Sequence, residues 1–316
     1  MAEVVSMRKA YGNALVALGR ANPDVVALSA DVSNSDFSYM FEEAFPERFF
    51  NVGIAEQSLV DVAVGLAYSG KIPFANTFAF LFATRALEMV RTHLCYGEAN
   101  VKLMAAYAGL SDSFDGPTHH AITDIAIMRA LPNMTVVVPA DPVALAALLP
   151  QVAAWQGAVY FRLNRNEVPV IYDASHAPAI GKAHVARQGR DVTIIANGLM
   201  VSRSLEAAEV LAGEGIDARV LDMHTVKPLD VDAVVAAAQE TGAIVTAEEH
   251  SIVGGLGGAV CEVVAERCPV PVKRVGLADR FAETGPYAAL LDRYGMAVAD
   301  VLAAARGVSE GKRESV

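Results

Sequence analysis

Short apolar runs alternate with amphipathic segments along most of the chain, and this pattern predicts strands and helices in turn. In the first half, the predicted strands cover residues 25–31, 72–78, 101–109, 135–140 and 158–163. Helical periodicity marks residues 1–19, 57–70 and 142–155, and Asp141 followed by Pro142 provides an N-cap and first-turn proline for the last of these. Strands separated by helices favour a mostly parallel sheet covered on both faces.

A second alternating series follows a stretch that lacks helical periodicity. Residues 167–191 contain several Pro and Gly, which indicates a linker. Beyond it, strands are predicted over residues 191–198, 217–222, 242–249 and 271–278, and helices over 202–215 and 231–242. We therefore predict an α/β protein of two domains, residues 1–170 and 187–308.

Composition excludes several classes of protein. The 316 residues are 53% hydrophobic, so the chain can bury ordinary cores and is not disordered. A net charge of -11 without a cluster of Lys and Arg disfavours nucleic acid as a partner. No apolar stretch reaches the ~18 residues of a membrane span, and no signal-peptide pattern is present. We expect a cytoplasmic protein.

Three sequence features do not indicate a ligand site in this chain. Adjacent residues His119 and His120 point apart and have no further His or Cys at ligand spacing, so we predict no metal site in this chain. The glycine-rich stretch 248–260 misses the dinucleotide pattern because its last position is Val260, which favours a tight turn and close packing. Three cysteines without CxxC spacing are expected to be core thiols.

Three longer sequence motifs resemble those of a known protein family. NVGIAEQ (51–57), DGPTHHAITDIAIMRALPNMTVVVPAD (115–141) and LDMHTVKPLD (221–230) resemble the C-terminal half of transketolase, and the resemblance extends from about residue 8 to residue 306. It implies that the first domain binds the pyrimidine of thiamine diphosphate. The second is implied to be the transketolase C-terminal domain.

The resemblance implies the residues that hold the cofactor. Glu56 in GIAEQ matches the glutamate that hydrogen-bonds N1′ of the aminopyrimidine and so promotes loss of the C2 proton. In an apolar site such an acid is expected to keep its proton at neutral pH. Phe82 matches the aromatic that stacks on the pyrimidine, with Phe78 as a competitor because of a one-residue insertion before Arg85.

The same resemblance implies a binding site for a phosphorylated sugar. Arginine suits a phosphate because its planar fork bonds two oxygens at once. The matching positions, from phosphate contacts to sugar contacts, are Arg8, Arg165, Ser35, Asp115 and His119. Tyr107, eight residues before Asp115, stands where the family has a substrate-contacting histidine. This departure leaves the donor and acceptor sugars open.

One expected element is missing from the sequence. Transketolases bind the cofactor diphosphate and its Mg²⁺ or Ca²⁺ through a Gly-Asp-Gly motif in an N-terminal domain, and this chain contains no such motif. The resemblance therefore implies a second polypeptide, an N-terminal transketolase subunit that carries the metal, in an α2β2 assembly.

Other interpretations stay open on the sequence. The same two domains build the β subunit of a 2-oxo acid dehydrogenase and half of a deoxyxylulose phosphate synthase, although Arg8, Ser35 and Arg165 favour a sugar phosphate. A non-catalytic scaffold subunit is the alternative from another class, and the retention of Glu56 and Asp115 argues against it.

Overall fold

A computed structural model describes residues 3–314, with side chains through residue 310. The strands are β1 Val4–Ser6, β2 Val25–Ser29, β3 Phe49–Asn51, β4 Ile72–Phe78, β5 Lys102–Ala106, β6 Met134–Val137, β7 Ala158–Arg162, β8 Glu167–Pro169, β9 His184–Arg187, β10 Val192–Ala196, β11 Ala218–Asp222, β12 Thr225–Lys227, β13 Ile244–Ser251 and β14 Val272–Leu277. The helices are α1 Met7–Ala21, α2 Ser33–Asp36, α3 Tyr39–Ala44, α4 Glu56–Tyr68, α5 Ala79–Ala83, α6 Leu87–Met89, α7 Asp124–Ala130, α8 Pro142–Ala154, α9 Met200–Gly213, α10 Val231–Thr241, α11 Leu256–Arg267, α12 Tyr287–Arg293 and α13 Val298–Glu314. A 3₁₀ turn covers Pro46–Arg48 and a π-helical segment covers Val90–Tyr96.

The first sheet has seven strands in the order β12-β6-β7-β5-β4-β2-β3, all parallel except β12. Strand β2 shows why helices cover both faces. Val25 and Ala27 pack into the core beneath α1 and α8, whereas Val26 and Leu28 pack into the core beneath α4. Successive strand residues point to opposite faces, so a run that is apolar at every position must be buried on both sides.

The second sheet has five strands in the order β14-β13-β10-β11-β9, and only β9 runs antiparallel. Ile194 and Ala196 of β10 face one core, and Ile195 faces the other. Helices α9 and α13 cover the first of these faces, and α10 and α11 cover the second. The predicted α/β class with two domains is confirmed.

Two helix N-caps fix the linker between the sheets. The Asp141 carboxylate accepts a hydrogen bond from Ala144 N at 2.7 Å, which caps α8 as predicted, and two more from Ile171 N and Tyr172 N at 2.9 Å each. Asp230 caps α10 through Ala233 N at 3.2 Å and accepts from Ala183 N at 3.0 Å. The linker is therefore held near both of its ends.

The prediction of one helix over residues 1–19 is wrong at its start. Residues 1 and 2 lie outside the described residues, and β1 then pairs antiparallel with β8 before α1 begins. Ser6 ends the strand because its side chain caps α1, accepting from Lys9 N at 3.3 Å. The sequence also gave no sign of β12, which follows β11 in the chain but adds to the edge of the first sheet beside β6.

The glycine-rich turn before α11 is closed by protein atoms. The buried Glu248 carboxylate accepts hydrogen bonds from Leu256 N at 2.7 Å and Gly257 N at 2.8 Å. A Cβ at Gly255 would lie 2.1 Å from Glu248 Oε2, so only glycine fits. Close packing is thus confirmed as the reason for these glycines.

Cys95 is a buried thiol as expected, and the other two cysteines are half-buried and free. Within residues 3–314, no helix is both long and apolar enough to cross a membrane.

Candidate active site

The candidate active site lies at the carboxyl ends of neighbouring parallel strands in the seven-stranded sheet. Phe78 ends β4 and pairs in register with Ala106, the last residue of β5. Tyr107 follows β5 directly, and Arg165 lies three residues beyond the end of β7. In open α/β sheets, ligands bind in the crevice outside the carboxyl ends of the strands.

Tyr107 lies between two arginine side chains. Its backbone has a φ of 62°, a left-handed conformation that residues other than glycine seldom adopt. The guanidinium carbon of Arg8 lies 5.5 Å from the ring centroid of Tyr107, and that of Arg165 lies 5.0 Å from it. Arg8 Nη1 also donates to the Tyr107 hydroxyl at 3.2 Å. We call Arg8, Tyr107 and Arg165 the arginine cluster.

Arg8 is anchored through backbone oxygens. Its Nε donates to the carbonyl of Arg165 at 2.7 Å, and its Nη1 donates to the carbonyl of Ser35 at 2.6 Å. The Ser35 contact therefore uses the main chain, and not the hydroxyl on which the resemblance rested. Arg8 also lies over Phe37, 5.0 Å from the ring centroid.

Arg165 is less tied down than Arg8. Apart from its approach to the Tyr107 ring, the contact described for its guanidinium is a long ion pair from Nη1 to Asp112 Oδ1 at 3.7 Å, while its Nε is buried without a hydrogen-bond partner among the described residues. Its backbone N–H donates to Ser111 Oγ at 3.1 Å. The guanidinium therefore has donors available for a ligand.

Asp112 was missed by sequence reasoning. Its side chain is fully buried, and neither carboxyl oxygen has a hydrogen-bond partner among the described residues. Burial, followed by the neighbouring Asp115 carboxyl, raises the pKa of Asp112 from 3.8 to about 7, against the opposing effect of Arg165 and Arg8. The only signal in the sequence is a second acid three residues before Asp115.

The loop after Asp112 carries the other predicted substrate residues. Asp115 is exposed, and His119 is half-buried with its ring centroid 5.0 Å from that of Phe80. His120 is buried, and both of its ring nitrogens lack partners within the described part of the chain. Burial lowers the pKa of His120, so the imidazole is neutral at pH 7.

Glu56 opens α4, just beyond the carboxyl end of the edge strand β3. Its side chain is 3% exposed, and Oε2 lies 3.5 Å from Arg85 Nη1 in a long ion pair. Glu56 is the acidic residue in the first turn of α4. The N-cap residue, Ala55, provides no side-chain acceptor. Arg85 was not predicted as a site residue, and no described contact joins Glu56 to the arginine cluster.

The two candidate stacking aromatics occupy different environments. Phe82, on α5, is fully buried in the core shared with α4. Phe78 is half-buried, with its ring centroid 4.4 Å from that of Tyr107. The structure thus joins Phe78 to the arginine cluster and places Phe82 in the hydrophobic interior.

Glu56, Phe78 and Phe80 are suited to binding an aromatic heterocycle beside the carboxyl group of Glu56. A nearly buried carboxyl normally has close hydrogen-bond partners, yet the one polar contact described for Glu56 is the 3.5 Å approach of Arg85. Half-buried Phe78 and Phe80 stand at the same edge of the sheet. The donor set of the cluster suits an anion, because guanidinium nitrogens and a hydroxyl can all donate.

Two family models match the chain. The model described as "Transketolase, pyrimidine binding domain" matches residues 3–170, and "Transketolase, C-terminal domain" matches residues 181–301. The split of the chain between the two models falls within the linker.

Curated relatives and a solved structure are similar over nearly the full chain. The 6-deoxy-6-sulfo-D-fructose transketolase subunit SqwH of Clostridium sp. is 41% identical over 97% of this chain and 95% of its own length. A putative transketolase C-terminal section of Methanocaldococcus jannaschii is 41% identical over 92% of each chain. A solved split gene transketolase, an inactive beta4 tetramer, is 49% identical with a TM-score of 0.92, covering 98% of this chain and 100% of its own.

Proposed function

Because this chain belongs to the transketolase family, we propose that it is the C-terminal subunit of a split transketolase. With an N-terminal partner subunit, it transfers a two-carbon ketol unit from a ketose donor to an aldose acceptor. The observation that carries the proposal is the arginine cluster at the strand ends, on the same sheet edge as the buried Glu56.

Family membership implies dependence on thiamine diphosphate, which supplies the nucleophilic carbon that holds the two-carbon unit. We assign Glu56 to N1′ of its aminopyrimidine, where the carboxyl donates and recovers a proton. Phe78 or Phe82 stacks on the ring. Half-burial of Phe78 supports that residue, because a ring already enclosed in the core, as Phe82 is, has no free face in this chain.

The diphosphate and its Mg²⁺ or Ca²⁺ are assigned to the partner subunit, because the Gly-Asp-Gly motif is missing here. An inactive tetramer of β chains alone, as in the solved relative, supports this division of the site. The active assembly is then an α2β2 heterotetramer.

The arginine cluster binds the anionic terminus of the sugar. Arg165 offers free donors, Arg8 is positioned by its backbone contacts, and Tyr107 fills the space between them. Asp115 and His119, on the exposed side of the loop, contact sugar hydroxyls. A phosphorylated ketose is the first candidate, and a sulfonated ketose is the second, since SqwH acts on 6-deoxy-6-sulfo-D-fructose.

The experiment that tests the proposal is turnover after co-expression with the transketolase N-terminal subunit encoded nearest to this chain. The purified complex would be offered xylulose 5-phosphate, 6-deoxy-6-sulfo-D-fructose and pyruvate. Ketol transfer from either ketose supports the proposal. Turnover of pyruvate alone would instead support the 2-oxo acid dehydrogenase alternative.

The scaffold alternative is tested in the same complex. A Glu56→Ala complex as active as the wild type would mean that this chain supplies no catalytic acid. Loss of activity with an intact heterotetramer in size-exclusion chromatography would exclude the scaffold.

A further inference from the structure

We propose that Asp112 is a positioning residue that sets the charge of the arginine cluster by pairing with Arg165. Protonated, Asp112 leaves both guanidiniums to the anionic end of the substrate. Ionised, it attracts Arg165 and repels the anion. The inference rests on the proposed function only in taking the cluster as the anion site.

The geometry gives Asp112 no close hydrogen-bond donor among the described residues that would hold it ionised, while the neighbouring Asp115 carboxyl favours its protonated form. Its carboxyl is fully buried, it lies 3.7 Å from Arg165 Nη1, and both of its oxygens lack hydrogen-bond partners among the described residues. A buried carboxylate is normally held by hydrogen bonds, because burial without them is costly. A carboxyl that is left unpaired in this way changes its charge readily when the charge beside it changes.

Arg165 complements this arrangement. Its side chain is 30% exposed, its Nε is buried and unpaired among the described residues, and its contact with Asp112 is too long for a hydrogen bond. The guanidinium therefore has two competing anionic partners, the carboxyl behind it and a substrate terminus in front. Arg8 has no such choice, because backbone carbonyls hold it.

The charged groups that face Asp112 come from three parts of the chain. Asp115 lies in the same loop and favours the protonated form, whereas Arg165 and Arg8 favour the carboxylate. His120, with its lowered pKa, is neutral near pH 7 and adds no charge. Asp36, another buried acid, faces Arg8, and burial raises its pKa to about 7.

The sign of the pH dependence follows from these groups. Burial raises the pKa of Asp112 to about 7, so the protonated form dominates below that pH and the carboxylate above it. Anion binding is therefore strong at pH 6 and weakens as the pH rises to 8.5. A dianionic phosphate is repelled by the ionised Asp112 more strongly than a monoanionic sulfonate is.

The test measures binding of 2-hydroxyethanesulfonate to the purified full chain by isothermal titration calorimetry between pH 6 and 8.5. This probe stays a monoanion throughout the range, so any change in Kd comes from the protein. We expect Kd to rise about five- to tenfold with pH, since one pKa unit of coupling corresponds to about tenfold. Glycerol 1-phosphate, a dianion above about pH 7, serves as the second probe.

Asp112→Asn keeps the shape and cannot ionise, so its Kd for the sulfonate should stay constant within about twofold over the same range. Asp222→Asn is the matched control, because burial raises the pKa of Asp222 to about 7 as well and its carboxyl accepts a hydrogen bond from the Tyr172 hydroxyl in the linker, away from the arginine cluster. This control should retain the wild-type pH dependence. A wild-type pH dependence that is kept in Asp112→Asn would overturn the proposal, and its loss in Asp36→Asn would assign the effect to Asp36 instead.

A wild-type measurement covers the case in which Asp112→Asn does not fold. Sulfonate binding at pH 7.5, repeated in two buffers of different ionisation enthalpy, should show proton uptake of about half a proton per anion. No uptake would overturn the proposal. These outcomes are separate from the proposed function, which fails only if the assembled complex transfers no ketol unit.

Discussion

Glu56 is the residue on which the proposed chemistry most depends. We predict that Glu56→Gln, which keeps the shape of the side chain and cannot cycle a proton, lowers kcat of the assembled enzyme by ~10²–10⁴-fold. Steady-state turnover of a ketose donor measures this. Asp61→Asn, an acid-to-amide change on the exposed face of the same helix, should leave kcat within about twofold.

A loss of less than about tenfold in Glu56→Gln would contradict the assignment of this residue as the activating acid. Melting temperature should fall little in the variant, because the one polar contact described for the carboxyl is the 3.5 Å approach of the half-exposed Arg85. A fall in kcat without a fall in melting temperature therefore indicates a catalytic role for Glu56, and a fall in both indicates a structural one.

Arg165 and Arg8 make a second test at the residue scale. We predict that Arg165→Ala raises KM for the anionic ketose about ten- to a hundredfold, because a charge-assisted hydrogen bond is worth roughly 1.5–3 kcal/mol. Its melting temperature should change little, since the contacts described for its guanidinium are the 3.7 Å ion pair to Asp112 and the approach to the Tyr107 ring, and neither is a hydrogen bond. An unchanged KM with a fall of many degrees would make this arginine structural.

Arg8→Ala should differ from Arg165→Ala in one respect. It should raise KM and also lower the melting temperature by several degrees, because it removes two short hydrogen bonds to backbone carbonyls. Thermal unfolding of the two variants side by side measures the contrast. Equal stability of both would contradict the anchoring role that the geometry gives to Arg8.

At the scale of elements, Asp141 joins helix α8 to the linker. We predict that Asp141→Ala lowers the free energy of unfolding by about 2–4 kcal/mol, because it removes both the cap and the two bonds to Ile171 and Tyr172. Asp141→Ser keeps a capping oxygen and should recover about 1 kcal/mol of that loss. Urea unfolding measures both variants.

Limited proteolysis tests whether the loss of stability comes from release of the linker. Both variants should be cut faster between residues 173 and 182, because neither side chain can hold the linker. If Asp141→Ser matches the wild type in both assays, the bonds to the linker contribute nothing.

The elements also show what the sequence could predict. The buried strands β2, β5, β7 and β10 were predicted because each is a mostly apolar run with apolar residues at successive positions, a pattern that burial on both faces favours. Strands β1 and β12 have three residues each and pair with partners far along the chain, so no local period marks them.

The candidate site also contains residues that the sequence predicted and one that it did not. The resemblance named Arg8, Tyr107 and Arg165, and the structure brings all three together. Asp112 was missed because an acid in a polar loop reads as a solvated charge. Its burial depends on contacts with distant parts of the chain, such as Arg165, fifty-three residues later.

On the scale of the whole molecule, a buried histidine makes stability depend on pH. Burial lowers the pKa of His224 from 6.5 to about 4, so the unfolded chain binds a proton between these values and the folded one does not. The stability that this histidine contributes is therefore fully present above pH 6.5 and is lost as the pH falls toward 4. At about 1.4 kcal/mol per pH unit, this residue accounts for about 3 kcal/mol.

We predict that the stability advantage of the wild type over His224→Gln, taken as the difference in their free energies of unfolding in urea, increases as the pH rises from about 4 to 6.5. The comparison of profiles is needed because the raised pKa of Asp222 acts in the opposite direction in both proteins. Identical profiles would show that His224 is not the group that destabilises the fold in acid.

The proposed division of the cofactor site between two chains gives the last prediction. The isolated chain should bind thiamine diphosphate weakly and show no ketol transfer, because its sequence contains no Gly-Asp-Gly motif and we assign the diphosphate and metal ligands to the partner subunit. Titration calorimetry with thiamine diphosphate and Mg²⁺, with and without the partner subunit, measures this. Tight stoichiometric binding by the isolated chain would disprove the split site.

The hydrogen bond from Arg8 to the main chain of Arg165 has a consequence for synthesis of the protein on the ribosome. Arg8 leaves the ribosome early, yet it donates to the carbonyl of Arg165, 157 residues further along the chain. At roughly 5–20 residues per second, that partner emerges some 8–30 s later. One arginine of the proposed anion site is thus made long before its partner, and we expect that a nascent chain halted before residue 165 has an incomplete arginine cluster.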